Sequence, residues 1–261
     1  MTMLDRLSKL YEIRPRSIVY LFSGGKDSAL ALLLTRDVVK RYADDTRARV
    51  YILYIAIPGN THPLNTYAAA YVMEYHRERY GFEPVYRCRD RVFQEYLQRA
   101  GLFVDWRNVD MRWCYVEFKY KVIREFTRYI PRPILKIDGM SPRDSKRRAQ
   151  KIKDEFEYVE PSDEAPYWAW HPLYSFDGDP LEVLQRYPEF EPVVMLYRLF
   201  GDSLNCVVCP FKKLSKYAKY DEVEDMGIIS MYMDLVLKSK RAKKIFERFN
   251  TVKLTKFMSS G

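Results

Sequence analysis

Ser23-Gly24-Gly25-Lys26-Asp27-Ser28 is where this chain places small residues, a cation and a carboxylate side by side. The hexamer follows the apolar run Ile18-Val19-Tyr20-Leu21-Phe22. It precedes a segment, Ala29 to about Tyr42, in which Leu30, Leu33, Leu34 and Val38 recur at helical spacing. That order predicts strand, tight turn, helix. The glycines let backbone approach a ligand closely, and the helix opening behind them offers N–H groups and a positive dipole end to an anion. Lys26 adds a full charge, so the turn suits phosphate. It is not a Walker A loop, because the spaced first glycine is absent and Lys26 is followed by Asp27.

Three further stretches carry reactive residue types. Arg112-Trp113-Cys114-Tyr115 has Lys119 five residues after its cysteine, and Cys206-Val207-Val208-Cys209-Pro210 has Lys212 and Lys213 behind it. A Cys-x-x-Cys pair is half of a metal or iron–sulfur site, or a redox pair. One pair cannot complete a four-ligand site; Cys114, at an expected helix start, is the third candidate ligand. A three-cysteine cluster leaves one iron open to external sulfur, whereas zinc more usually takes a fourth protein ligand. Plain structural cysteines are the alternative. Cys88, in an expected strand, reads either as a fourth ligand or as a buried apolar cysteine. The third stretch, Gly139-Met140-Ser141-Pro142-Arg143-Asp144-Ser145-Lys146-Arg147-Arg148, directly follows an apolar run and so belongs at the same sheet edge as the phosphate turn. Its cations suit pyrophosphate recognition; a solvated basic helix face is the plainer reading. His62, His76 and His171 show no ligand spacing. His76 reads as structural, and His171, beside Pro172, as within reach of a nucleotide.

The elements that must hold these residues alternate. Residues 1–15 read as an amphipathic helix. After the turn and its helix, Arg49 to Ala56 is a nearly continuous apolar run of the kind found in strands covered on both faces. A turn cluster, Pro58 to Pro63, leads to a helix ending near Tyr80. Pro84 to Cys88 predicts a third strand, stretches near 90–99 and 113–129 predict helices, and Pro133 to Asp138 predicts another strand. This alternation predicts an α/β fold, a doubly wound, mostly parallel sheet with ligands at the C-terminal strand ends. No strand pattern is evident after about residue 160, where Pro161, Pro166, Pro172 and Pro180 punctuate a Trp- and Tyr-rich stretch. The expected organisation is a nucleotide-binding domain over 1–175 and a helical C-terminal region over 176–261 carrying the Cys-x-x-Cys.

Composition bounds the partners. With 261 residues and 48% hydrophobic content the chain can bury a full core. Its 44 Lys+Arg against 35 Asp+Glu give a net charge of +9, which favours polyanions such as nucleotides or nucleic acid. Lys238 to Arg248 is a basic helix candidate, read first as a solvated face and second as a nucleic-acid contact. Residues 1–16 lack the apolar core of a signal peptide and the longest apolar run, 50–58, is too short for a bilayer, so a cytoplasmic protein without membrane association is expected. Four Gln and five Asn beside 30% charged residues is a balance found in thermophile proteins.

The hexamer resembles the SGGxDS signature of the PP-loop ATP pyrophosphatase superfamily. The order of Trp113-Cys114 with Lys119, Gly139 to Arg148, the aromatic-Pro segment Trp168-Ala169-Trp170-His171-Pro172-Leu173 and Cys206-x-x-Cys209-Pro210 is similar to its PAPS-reductase-like branch, with an adenine nucleotide α-hydrolase-like fold. The resemblance spans about residues 17–215. It implies ATP and Mg²⁺ as ligands, bound through Ser23, Gly24, Gly25, Lys26, Asp27, Ser28, Gly139, Arg143, Ser145 and Arg148. Lys26, Asp27 and Arg148 take the catalytic roles, and Cys114, Cys206 and Cys209 the metal, as a 4Fe-4S cluster or zinc. Adenylation of an acceptor followed by sulfur transfer is the implied activity, with a sulfur-donor protein and a second copy of the chain as further partners; the acceptor reads as a tRNA base, a DNA phosphate or a small molecule, and the net charge of +9 favours nucleic acid. Three departures stand out. Ser141 replaces the family arginine, with Arg143 nearby; Ala56-Ile57-Pro58-Gly59 replaces Asp-Thr-Gly; and no cysteine follows Cys209, so the C-terminal thiol that attacks sulfate in APS and PAPS reductases is absent. An APS- or PAPS-binding reductase-type enzyme and a non-catalytic nucleotide- or nucleic-acid-binding protein are the other readings.

Overall fold

Strand β1 (Ser17–Phe22) lies near the middle of a six-stranded sheet in the computed structural model, which describes residues 1–93, 95, 113–207 and 209. The order is β3-β2-β1-β4-β6-β5, with β2 at Arg49–Ile55, β3 at Glu83–Arg87, β4 at Ile134–Ile137, β5 at Phe156–Val159 and β6 at Tyr167–Trp170. All neighbours run parallel except β5, which lies antiparallel to β6. Burial explains the apolar runs. Ile18, Val19, Ile52, Leu135 and Trp170 are fully enclosed, and each such side chain contributes about 1.5–3 kcal/mol by leaving water. This is the α/β, mostly parallel architecture that the alternation of elements predicts.

Helix α1 (Met3–Ile13) opens with a capping box in which Thr2 and Asp5 satisfy each other's backbone N–H groups, and it buries Leu7, Leu10 and Ile13. Helix α2 (Lys26–Thr46) follows the Gly-Gly turn and α3 is Pro63–Tyr80. Both α1 and α2 end on an arginine in the left-handed region, Arg14 at φ 53° and Arg47 at φ 62°. Glycine holds such C-terminal positions without strain; a side chain there costs about 1–2 kcal/mol. On α2, Arg36 is buried with Glu189 at 2.6 Å and lies over the rings of Tyr80 and Phe190. Burial there pushes His76 down to about 4, so it stays neutral and serves the core, as its place in a helix suggests.

The chain forms two compact units, residues 1–55, 67–87 and 123–194 in the first and 56–66, 88–122 and 195–261 in the second. These interleave along the sequence, whereas the sequence suggests one boundary after residue 175. The sheet belongs to the first unit. In the second, Asn60 N–H and Thr61 N–H donate to the Ile57 carbonyl, and Phe93 packs on Phe118 at 6.0 Å.

Three expectations need correction. Strand β6 lies beyond residue 160; its Tyr-Trp-Ala-Trp run is short and flanked by prolines, so no alternation marks it, but Ala169 and Trp170 are buried where it pairs with β4. The single helix expected over 113–129 is α4 (Trp113–Tyr115), a π-helical turn (Val116–Tyr120) and α5 (Lys121–Thr127). Cys88 lies just past β3 and is exposed. Of the expected C-terminal helical region, α7 (Pro180–Leu184) and α8 (Glu191–Phe200) are present, with α6 (Lys146–Lys151) earlier in the chain. Arg112, Pro210, Lys212, Lys213 and the basic run 238–248 lie outside the described residues.

Candidate nucleotide-binding site

Strand order reverses at β1, with β2 on one side and β4 on the other. The loops leaving the C-terminal ends of β1 and β4 therefore border the crevice in which such sheets bind ligands. The first is the Gly-Gly turn. Gly24 sits at φ 70°, a conformation glycine adopts freely. Ser23 and Ser28 close the turn from both ends: their hydroxyls are 3.0 Å apart, Ser23 N–H donates to Ser28 Oγ at 3.2 Å, and Ser28 Oγ donates to the Gly25 carbonyl at 2.9 Å. Gly25 is the N-cap of α2, and no side chain caps the helix start. Those terminal amides and the dipole behind them are chemically suited to an anion.

The second loop packs directly on the first. A Cβ on Gly139 would lie 2.5 Å from the Asp27 carbonyl carbon and 2.6 Å from Ser28 N, far inside contact distance. Only glycine lets these two backbones meet. Asp138, the residue before it, fixes the approach: its Oδ1 accepts from Met140 N–H at 2.9 Å and from His171 Nδ1 at 2.9 Å. Asp138 N–H in turn donates to the Trp170 carbonyl at the end of β6. Burial pushes the His171 pKa down, but the Asp138 hydrogen bond and charge, with Glu157 3.5 Å from Nε2, outweigh it and hold the imidazole above its usual value. His171 thus steadies the second loop.

The cations expected to meet phosphate are held by carboxylates. Lys26 Nζ lies 3.2 Å from Asp27 Oδ1 and 3.8 Å from Asp179 Oδ1, Arg143 pairs with Asp177, and Arg148 pairs with Asp144. Ser141 caps a 3₁₀ turn, Pro142–Asp144, and Ser145 caps α6 by accepting from Arg148 N–H at 3.2 Å. The basic segment is exposed along its length from residue 143 to 150, as a solvated helix face would be. Asp138 and Asp179 escaped the sequence reading. The pair Asp179-Pro180, a capping residue before a proline at the first helical position, is the signal that marks the latter.

Asp27 is an oxygen donor of the kind Mg²⁺ takes together with substrate phosphates, so it fits that ion. The cysteines lie in the second unit. None of the four forms a disulfide among the described residues, and Cys114, Cys206 and Cys209 are half-buried. Cys206 Sγ is 3.8 Å from Asn205 Oδ1, and the same oxygen accepts from Lys119 Nζ at 2.6 Å. Lys119 projects from the π-helical turn that follows Cys114, a feature frequent at functional sites. The fold therefore brings the Cys114 segment to the neighbour of Cys206. Among the described residues no group of three or more His, Cys, Asp or Glu is arranged to hold a metal ion. Cys114, Cys206 and Cys209 thus do not converge as one ligand set among the described residues.

No helix among the described residues is long and apolar enough to cross a membrane. No family model matches the chain. No curated protein matches it either. Among solved structures the chain is similar to phosphoadenylyl-sulfate (PAPS) reductase from Candida auris, determined as a phosphate complex, at 13% identity and a TM-score of 0.44 over 71% of this chain and 79% of that one.

Proposed function

We propose that the chain is an ATP-using enzyme that adenylates an acceptor and passes it to sulfur transfer. The observation that carries the nucleotide half is the contact of Gly139 with the Asp27–Ser28 backbone, which joins two sequence-distant loops at the switch point of the sheet. Triphosphate would bind at the start of α2, where Lys26 and Arg148 would neutralise its oxygens and Asp27 would hold Mg²⁺, which supplies further charge neutralisation. An acceptor oxygen attacks the α-phosphorus; a new P–O bond forms, the bridge to the β-phosphate breaks, and pyrophosphate leaves with the electron pair. Positioning and charge stabilisation supply most of the rate in such a step. Asp179 and Asp144 restrain Lys26 and Arg148 in the unliganded protein, and incoming phosphate exchanges one anionic partner for another. The acceptor is a tRNA base or a DNA phosphate, in keeping with the net charge of +9. Sulfide-level sulfur from a donor protein, held at Cys114, Cys206 and Cys209 with Lys119 beside them, then attacks the adenylated centre: the bond to sulfur forms as the bond to AMP breaks, and AMP leaves with the electron pair.

The test is incubation of the full chain with ATP, Mg²⁺ and tRNA or DNA, following AMP and pyrophosphate. Turnover stimulated by nucleic acid and abolished in Lys26→Met is expected. Sulfite release from PAPS without ATP, or nucleotide binding with no turnover, would refute the adenylation step. Anaerobic purification with iron and zinc analysis addresses the cysteines separately.

A further inference from the structure

At the opposite end of the same sheet, where β1 and β2 begin, a cavity of about 630 Å³ is lined by Arg14, Arg16, Arg47, Arg49, Tyr11 and Tyr42 among others. The four arginines are exposed. None makes a side-chain hydrogen bond or ion pair with another described residue. They gather because β1 and β2 pair in parallel with Ser17 opposite Arg49, which sets the residues before each strand, and the helix ends that deliver them, side by side.

One ordinary explanation is that arginine complements a helix C-terminus. Two helices end here, and each offers about half a negative charge. Against four guanidiniums that leaves roughly three positive charges, and about two after counting Asp45, whose carboxylate accepts from the Tyr11 hydroxyl. The backbone argues the same way. Among the described residues only Arg14, Arg47 and Leu204 are non-glycine residues with positive φ, and two of these three line this one cavity. Glycine would end both helices with less strain. Strain kept at two positions of one cavity, both occupied by arginine, points to a use for the side chains.

We infer that this arginine-lined cavity at the N-terminal edge of the sheet is a docking site for the phosphate backbone of a nucleic acid. Guanidinium forks match phosphate oxygens in pairs. Tyr11, 40% exposed and packed edge-on against Tyr42 at 5.3 Å, offers a ring face on which a base can stack. The choice of occupant rests on the nucleic-acid acceptor in the proposed function; the cavity itself needs neither ATP nor the loop residues.

The test uses the full chain without ATP or metal and a fluorescent single strand of about 20 nucleotides, its anisotropy read between roughly 50 and 200 mM salt. Arg14→Gly with Arg47→Gly removes two charges at positions where glycine suits the backbone, so the melting temperature should hold or rise. Binding should weaken about tenfold or more, and the slope of log affinity against log salt should flatten by about 1.4, near 0.7 for each phosphate left without its arginine. Arg16→Gln with Arg49→Gln provides a second pair at ordinary backbone geometry and should do the same. Parental affinity and slope in both pairs overturn the proposal, as does absence of binding by the parent. Competition by inorganic tripolyphosphate at concentrations where a mononucleotide and the long strand bind equally assigns the cavity to small polyphosphates and overturns the nucleic-acid occupant. Failure of ATP turnover with arginine-dependent strand binding intact rejects the enzymatic reading and leaves this one standing.

Discussion

The two ends of the sheet in the first unit carry cations in opposite states. At the C-terminal end Lys26, Arg143 and Arg148 each lie against a carboxylate, and the loops that present them are locked backbone to backbone. At the N-terminal end four arginines stand without carboxylate partners among the described residues, two of them on strained backbone. Paired cations in a fixed frame suit a ligand that must be oriented, because the geometry exists before binding and each charge is released only as phosphate replaces its partner. Unpaired cations suit a ligand that needs attraction more than orientation, and the energy gained comes largely from counterions set free.

The difference can be broken hardest at Gly139. A methyl there meets the Asp27 carbonyl, so Gly139→Ala should cost on the order of 3 kcal/mol in overpacking or nucleotide affinity, read by thermal melting and by ATP titration. Strand binding at the arginine cavity should survive wherever the variant stays folded. If both functions fall together in a folded variant, the two ends are not independent. Lys26→Met should weaken nucleotide binding about tenfold, since a charged hydrogen bond to phosphate contributes roughly 1.5 kcal/mol, with little change in melting temperature. Asp179→Asn keeps the helix cap but loosens the hold on Lys26, and should tighten nucleotide binding by about threefold or less, a gain in keeping with a half-exposed ion pair. Weaker binding in that variant would mean that Asp179 orients Lys26 and does not restrain it.

The smallest effect concerns pH. The pKa of His171 is raised in the fold, so its interaction with Asp138 and Glu157 is fully present below the unfolded value of about 6.5 and is lost as pH climbs through the folded value. Melting temperature should therefore decline as pH rises from 6.5, and His171→Gln should flatten that decline. Nucleotide affinity should follow it, because Asp138 sets the loop that carries Gly139. His76 acts in reverse: with its pKa lowered, it opposes folding as pH drops from about 6.5 toward 4.

How much of this was legible in the sequence varies with the distance over which each feature is encoded. The Gly-Gly turn is local, and a strand, six residues and a helix sufficed to place it. Strands β1, β2 and β4 announce themselves by apolar runs. β5 and β6 do not, since four residues rich in aromatics and bordered by proline carry no period to read. Gly139 was marked only by resemblance; the reason it must be glycine is a contact with a residue more than a hundred positions away. The arginine cavity was invisible because Arg14-Pro15-Arg16 and Arg47-Ala48-Arg49 are unremarkable pairs until the parallel register of β1 and β2 sets them together. The π-helical turn at Val116–Tyr120 hid inside a pattern that reads as one helix, and it is what carries Lys119 to Asn205.

Strand β1 connects the two ends, and its six residues set a length. At about 3.3 Å per residue it is a spacer of roughly 20 Å. A single molecule engaging both ends must run around the outside of the domain over at least that distance, about six base-pair steps of a duplex at 3.4 Å each. In the proposed reaction the sheet would double as a ruler: nucleic-acid strands shorter than this reach one end or the other, and coupling between the proposed docking and adenylation should switch on with substrate length.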